Sequence, residues 1–240
     1  MNTTKTIIAI GGGELRDQET LPMDQAIVRL SNKQNPKILF IPTASGDSEG
    51  YIEVVERVYG ETLNCAVTAL KILTESPADD EIREQILSAD IIYVGGGNTA
   101  KMMTAWKEKH VDRYLWQAYH NGVILSGLSA GAICWFDAGY SDSFYADTGE
   151  YTTVKGLGMI PALCCPHFNA QLDFDGFMQR QKRPAIAIDD CCAVVFQNDA
   201  YKVVKAKESA NAYLLVNHGG TIHKTVLDNI DFKPLQGEII

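Results

Sequence analysis

The chain has 240 residues, 46% hydrophobic and 21% charged, a balance expected of one soluble globular domain spanning residues 1–240 rather than of two. A formal net charge of −9 excludes a protein that grips a phosphate backbone through a basic face, so no nucleic-acid partner is expected. No run approaches the ~18 apolar residues of a membrane helix, and Met1–Lys5 leads directly into a short apolar run unlike a signal sequence, so a cytoplasmic protein without a membrane partner is expected.

In chain order, Thr6–Ile10 reads as a short buried strand that ends in Gly11-Gly12-Gly13. Leu21–Leu30 carries apolar residues at Met23, Ile27 and Leu30, the spacing of a helix. A second strand is predicted at Lys37–Ile41, a helix at Tyr51–Val58 and a third strand at Ala66–Leu70. Asp80–Leu87 is helical in pattern, and a fourth strand, Ile91–Val94, ends in Gly95-Gly96-Gly97-Asn98. Helices over Thr99–Lys107 and Val111–His120 precede a fifth strand at Val123–Leu125. Apolar strands alternating with helices imply a parallel sheet covered on both faces. Later runs at Ile186–Ile188, Ala193–Phe196, Tyr201–Val204, Ala212–Val216 and Thr221–His223 are separated by turn residues at hairpin spacing. The predicted architecture is a doubly wound α/β fold, mostly parallel and flanked by helices, with an antiparallel C-terminal extension on one side.

Ligands of open α/β sheets collect beyond the carboxyl ends of the strands, where Gly11–Gly13, Gly95–Asn98 and Ser129 all fall. Gly127-Leu128-Ser129-Ala130-Gly131 follows a strand and opens the helix-compatible run Ala130–Trp135. That context is a nucleophile elbow: small neighbours permit a tight turn that exposes the serine hydroxyl at a helix start. The Ala130 amide then faces a developing oxyanion, and Gly96, Gly97 and Asn98 offer a second donor. A plain structural turn is the competing reading. The loop lacks the Gly-Lys-Ser/Thr ending of a phosphate cradle.

A serine nucleophile needs a base. His110 and His120 fall on polar helix surfaces, His218 precedes two glycines, and His223 lies near the C-terminus. His167, after Leu163-Cys164-Cys165 and Pro166, stands at a strand end and is the candidate. Asp142, Asp147, Asp189 and Asp190 are candidate orienting acids, and spacing does not choose among them. The six cysteines, Cys65, Cys134, Cys164, Cys165, Cys191 and Cys192, form no Cys-x-x-Cys pair and read as reduced, mostly buried thiols. No metal site and no organic cofactor is implied.

Five segments together resemble the peptidase E and cyanophycinase family of serine peptidases: Ile7–Leu15, Phe40–Ala44, Val94–Thr99, Gly127–Ala132 and Pro166–Phe168. They occur in the family's order across roughly the first 170 residues. The resemblance implies a fold like that of class I glutamine amidotransferases, with Ser129 as nucleophile, His167 as base and Gly97 near the oxyanion. For the acid it points to Asp142 by likeness to dipeptidase-like members and to Asp189-Asp190 by likeness to cyanophycinase-like members, with Asp190 preferred. The arginines that aspartate-selective members carry after the histidine are replaced by Asn169-Ala170-Gln171-Leu172-Asp173, and Arg180, Lys182 and Arg183 come only later. Pro166 stands where cyanophycinases have an acid. The expected activity is peptide-bond hydrolysis through a Ser-His-acid triad and an acyl-enzyme. The alternatives are an isopeptidase, an esterase or amidase with the same triad, and a non-catalytic binding protein. The expected partner is a peptide or small amide substrate, with a homodimer left open.

Overall fold

The alternation of side chains along strand β1 (Thr6–Ile10) sets the plan of the molecule. Ile7 and Ala9 enter one apolar layer, Ile8 and Ile10 the opposite one, as a period of two requires. The computed structural model describes residues 3–228 and 230–234. After β1 come α1 (Leu21–Leu30), β2 (Lys37–Ile41), α2 (Glu49–Val55), β3 (Ala66–Ala69), α3 (Asp79–Ser88), β4 (Ile91–Val94), α4 (Thr99–Glu108), α5 (Val111–His120) and β5 (Ile124–Leu128). Strands β1, β5, β4, β2 and β3 lie side by side in that order, all parallel. The βα alternation is that predicted. Several boundaries shift by a residue or two, and two differ more: β5 extends through Gly127 to Leu128, and α2 passes at Glu56 into π-helical turns that run to Thr62.

The second half contains α6 (Ala130–Ile133), β6 (Phe136–Ser141), α7 (Tyr145–Thr148), β7 (Thr152–Lys155), β8 (Ile160–Cys165), α8 (Phe174–Met178), β9 (Ala185–Ile188), β10 (Cys192–Gln197), β11 (Ala200–Lys205), β12 (Ala212–His218), β13 (Thr221–Leu227) and β14 (Lys233–Pro234). The predicted late strands are all present, but they do not extend a single sheet. Antiparallel β10, β11 and β14 continue the first sheet beside β1, which gives the order β14-β11-β10-β1-β5-β4-β2-β3. Strands β9, β12 and β13 instead join a second sheet of order β13-β12-β9-β8-β6-β7. That sheet is mixed: β6, β8 and β9 are parallel, and β7, β12 and β13 are antiparallel to their neighbours. Sequence reading missed β6 because Phe-Asp-Ala-Gly-Tyr-Ser contains residues that disfavour strands. Its pairing with β7 and β8 is what holds it extended.

Three apolar clusters fill the layers. Beneath one face of the first sheet, Ile7, Leu39 and Val94 pack with Trp106 of α4, Trp135 and the inner residues Cys164, Ile186 and Ile188 of the second sheet. The other face carries Phe40, Tyr93, and Met23 and Ile27 of α1. The outer face of the second sheet carries Leu163, Cys165 and Ala187 under Phe174 and Met178 of α8. Cys164 and Cys165 are successive strand residues and so enter different cores, which bars them from chelating one ion together. All six cysteines are buried free thiols. Among the described residues no helix is long and apolar enough to cross a membrane.

One carboxylate sits inside this packing. Asp24 of α1 is fully buried and accepts hydrogen bonds from Thr20 Oγ1 (2.8 Å) and Tyr59 Oη (2.6 Å). Burial pushes its carboxyl up to about 6 from 3.8, against the opposing pull of the two hydroxyls. Between those values the native state holds a proton that the unfolded chain has released. The contribution of this group to stability is therefore full below its unfolded pKa and is lost as pH rises through about 6. Relative to an Asp24→Asn variant, the wild type is expected to lose roughly 3 kcal/mol of unfolding free energy between about pH 4 and pH 8, two pK units at ~1.4 kcal/mol each. Urea unfolding of both proteins across that range checks it; a pH-independent difference contradicts it.

Candidate active site

Ser129 sits between the last residue of β5 and the first of α6, at φ 58° and ψ −111°. A non-glycine residue at positive φ is strained by about 1–3 kcal/mol and persists only where surrounding bonds over-determine it. Here Ser129 N donates to Ile10 O (3.1 Å), and Ser129 O accepts from Ala132 N (2.9 Å) and Ile133 N (3.0 Å). The small residues predicted for the turn are sterically required. A Cβ on Gly131 would lie 2.1 Å from Val94 O, and one on Gly127 would lie 2.3 Å from Gly131 O. The strain thus resides at the one side chain of the turn that carries a hydroxyl.

His167 follows β8 and Pro166 with its backbone in the left-handed region, φ 51°, and its N–H donates to Gly11 O at the end of β1 (3.1 Å). Its Nδ1 lies 2.6 Å from Asp190 Oδ1. Asp190 stands where the chain leaves β9 for β10, and Asn169 holds it from both ends. Asn169 Nδ2 donates to Asp190 Oδ2 (3.1 Å), and Asp190 N donates to Asn169 Oδ1 (2.8 Å). The His167 hydrogen bond, opposed by partial burial and aided by Asn169, holds the Asp190 carboxyl below the usual range. An ionised Asp190 can only accept, so Nδ1 carries a proton, and in the neutral form of the ring Nε2 is the nitrogen with the lone pair. Asp189, by contrast, is buried and turned to Asn211 N (2.9 Å), and its carboxyl is raised, chiefly by desolvation.

Ser129, His167, Gly97, Asn98 and Asp142 line one cavity of about 280 Å³, with Thr99, Ile133, Tyr140, Ser141, Tyr151, Pro166 and Gln171 completing its wall. No hydrogen bond joins Ser129 Oγ to His167 among the described residues, and such bonds commonly tighten only when substrate is bound. The glycine loop is not uniform. Gly95 N donates to Ile41 O (3.3 Å), Gly96 N to Tyr51 Oη (3.4 Å) and Asn98 N to Ala44 O (2.8 Å). The Gly97 N–H has no partner among the described residues. Ala130 N belongs to the first turn of α6, where amides lack intrahelical acceptors. Asn98 Oδ1 caps α4 through Lys101 N (2.9 Å). Asp147 lies on exposed α7 and does not line the cavity.

Sequence reasoning missed Asn169, whose contacts with Asp190 span 21 positions, and Tyr51, whose hydroxyl meets Gly96 across 45. It placed Gly11–Gly13 at the strand ends that converge on the site but gave Gly12 no contact with His167 or an acid. A Cβ there would lie 1.9 Å from Asp190 Oδ1 and 2.3 Å from His167 Nδ1. The glycine is the floor on which the pair rests.

The sequence profile of peptidase family S51 matches residues 7–204. Uncharacterized peptidase YgaJ of Bacillus subtilis (strain 168) is 37% identical over 224 residues, 87% of this chain and 91% of its own. Uncharacterized peptidase Lin0382 of Listeria innocua serovar 6a (strain ATCC BAA-680 / CLIP 11262) is 31% identical over 144 residues, covering 58% of this chain and 68% of its own. The crystal structure of a peptidase from an acI-B1 Actinobacterium superposes with a TM-score of 0.74 at 22% identity, covering 98% of each chain, which shows a shared fold.

The steric role of Gly12 is open to direct observation. A short Nδ1–H to carboxylate bond deshields its proton strongly, so the wild type is expected to show a low-field imidazole proton resonance. Gly12→Ala is expected to abolish that resonance while leaving the far-UV circular dichroism unchanged, because the three atoms nearest the added methyl all belong to the His167 and Asp190 side chains. A resonance that survives in the variant contradicts the packing argument.

Proposed function

The chain belongs to peptidase family S51 and is a serine peptidase, and from that premise we propose that Ser129, His167 and Asp190 form its catalytic triad and that hydrolysis passes through an acyl-enzyme. The observation that carries this reading is the 2.6 Å bond from His167 Nδ1 to Asp190, which leaves Nε2 as a base in the cavity that Ser129 also lines. His167 Nε2 takes the hydroxyl proton as Ser129 Oγ bonds to the scissile carbonyl carbon. Asp190 remains ionised and stabilises the imidazolium that results. The oxyanion is held by the N–H groups of Ala130 and Gly97, neither of which has a hydrogen-bond acceptor among the described residues; the Gly96 N–H is engaged by Tyr51.

Collapse of the tetrahedral species breaks the C–N bond, and the proton on Nε2 passes to the leaving amine. Water then enters, gives its proton to Nε2 and attacks the acyl carbon. Collapse of the second tetrahedral species returns that proton to Ser129 Oγ and frees the carboxylic acid. No step needs a metal or an organic cofactor.

Ser129→Ala is expected to abolish both peptide hydrolysis and labelling by a fluorophosphonate, with the fold intact. Asp190→Asn is expected to keep the shape of the site and to lower turnover by ~10⁴, because the histidine tautomer is then wrong. Steady-state kinetics on a peptide panel, with matched simple esters alongside, decides it. Near-normal turnover in Asp190→Asn removes that residue from the triad, and residual hydrolysis at ~10% in Ser129→Ala removes the serine.

A further inference from the structure

The catalytic cavity has a larger neighbour. Tyr140, Tyr151 and Gln171 line both the inner cavity of about 280 Å³ and an outer cavity of about 840 Å³, so the two volumes share a wall. Ser129 and His167 line the inner one and not the outer. Small-molecule pockets span roughly 300–1,000 Å³, so the inner volume holds little more than the groups flanking a scissile bond. The outer one has room for further residues of a chain. It is built by α7 with the turn after it and by residues 170–180, which include α8. Two features of its wall have no structural cause. Leu172 is 93% exposed and belongs to none of the three apolar clusters. Gly176 stands inside α8, where a glycine costs up to about 1 kcal/mol relative to alanine. Its φ is not positive, and a Cβ there would meet no atom within 4 Å. Neither backbone nor neighbours require this glycine; what the missing side chain leaves is space beside the cavity.

We propose that the outer cavity is an extended subsite for the continuation of the substrate's peptide chain, so that the enzyme prefers oligopeptides to dipeptides. This rests on Ser129 being the nucleophile of the inner cavity. An extended chain advances about 3.3–3.6 Å per residue, so the residues at the scissile bond occupy the inner cavity and those beyond them pass Gln171 into the outer one. Gln171, Gln179, Glu150, Asp173 and Arg180 offer that chain both donors and acceptors, which is what the N–H and C=O groups of a peptide main chain require. Such bonds depend little on the substrate's side chains. Leu172 supplies the apolar surface that a passing chain removes from water.

The test is protection of Ser129 from a fluorophosphonate by oligoalanines, from dialanine to pentaalanine. In the wild type pentaalanine is expected to protect at about tenfold lower concentration than dialanine, the gain that one or two added hydrogen bonds give. Gly176→Trp puts a bulky side chain on the outer wall. It is expected to leave protection by dialanine unchanged and to bring pentaalanine close to it. Leu172→Ser, at a side chain that contributes nothing to the core, is expected to shrink the length advantage by about threefold, and it decides the matter if Gly176→Trp does not fold. Equal protection at every length in a wild type that labels normally overturns the subsite alone. So does a full length advantage in folded Gly176→Trp, or in Leu172→Ser where Gly176→Trp does not fold. Failure of the wild type to label overturns the serine assignment and the subsite with it.

Discussion

The site depends on how closely two side chains approach the backbone at the end of one strand. His167 and Asp190 arrive from different turns, and both come to rest against Gly12. His167 N donates to Gly11 O, and Cys191 N donates to Gly12 O (2.9 Å), so the two segments are registered to the same two peptides. Gly12 and Asp190 also form an isolated parallel bridge. Any side chain at Gly12 would occupy the space of the His–Asp bond. The glycine run is therefore a reference surface that fixes the pair.

That surface lies on the seam between the two sheets. The chain crosses from the first sheet to the second through Ser129 and α6, between β5 and β6, and returns through Asp189–Cys191, between β9 and β10. His167 closes the third side, from the end of β8. Residues at such crossings cannot follow either ladder, and Ser129, His167 and Cys191 all carry positive φ. Strain of this kind is tolerated because packed layers hold the strand ends on each side. The same crossings bring together groups that are 38 positions apart, Ser129 and His167, in one cavity.

Three aspartates show how environment divides one functional group among different tasks. Asp24, desolvated among tyrosines, has its carboxyl pushed up to about 6 and belongs to the core. Asp190, half-buried and bonded to His167 and Asn169, is held below the usual range and stays charged. Asp142 is exposed on the cavity wall, and its carboxylate has no hydrogen-bond partner among the described residues. Sequence reading weighed Asp142 and Asp190 as alternatives for one position, whereas in the structure Asp190 is bonded to His167 Nδ1 and Asp142 lines the cavity.

What the sequence by itself determined was whatever is written in short-range pattern. The parallel strands and their helices were legible because the apolar periodicities of β1, β2, β4, α1 and α5 are local properties of consecutive residues. The elbow at Ser129 was legible because its small neighbours are also consecutive. Only the tertiary structure decided the split of the late strands between two sheets, because a strand's partner is set by which edge is open and not by its own composition. It likewise decided that Asp190 contacts His167, that Asn169 braces Asp190, and that Tyr51 engages the amide of Gly96 and not that of Gly97. Those relations join residues 21 to 45 positions apart at distances of 2.6 to 3.4 Å. Spacing along a chain carries no information at that scale until the sheets have set the path between the two ends.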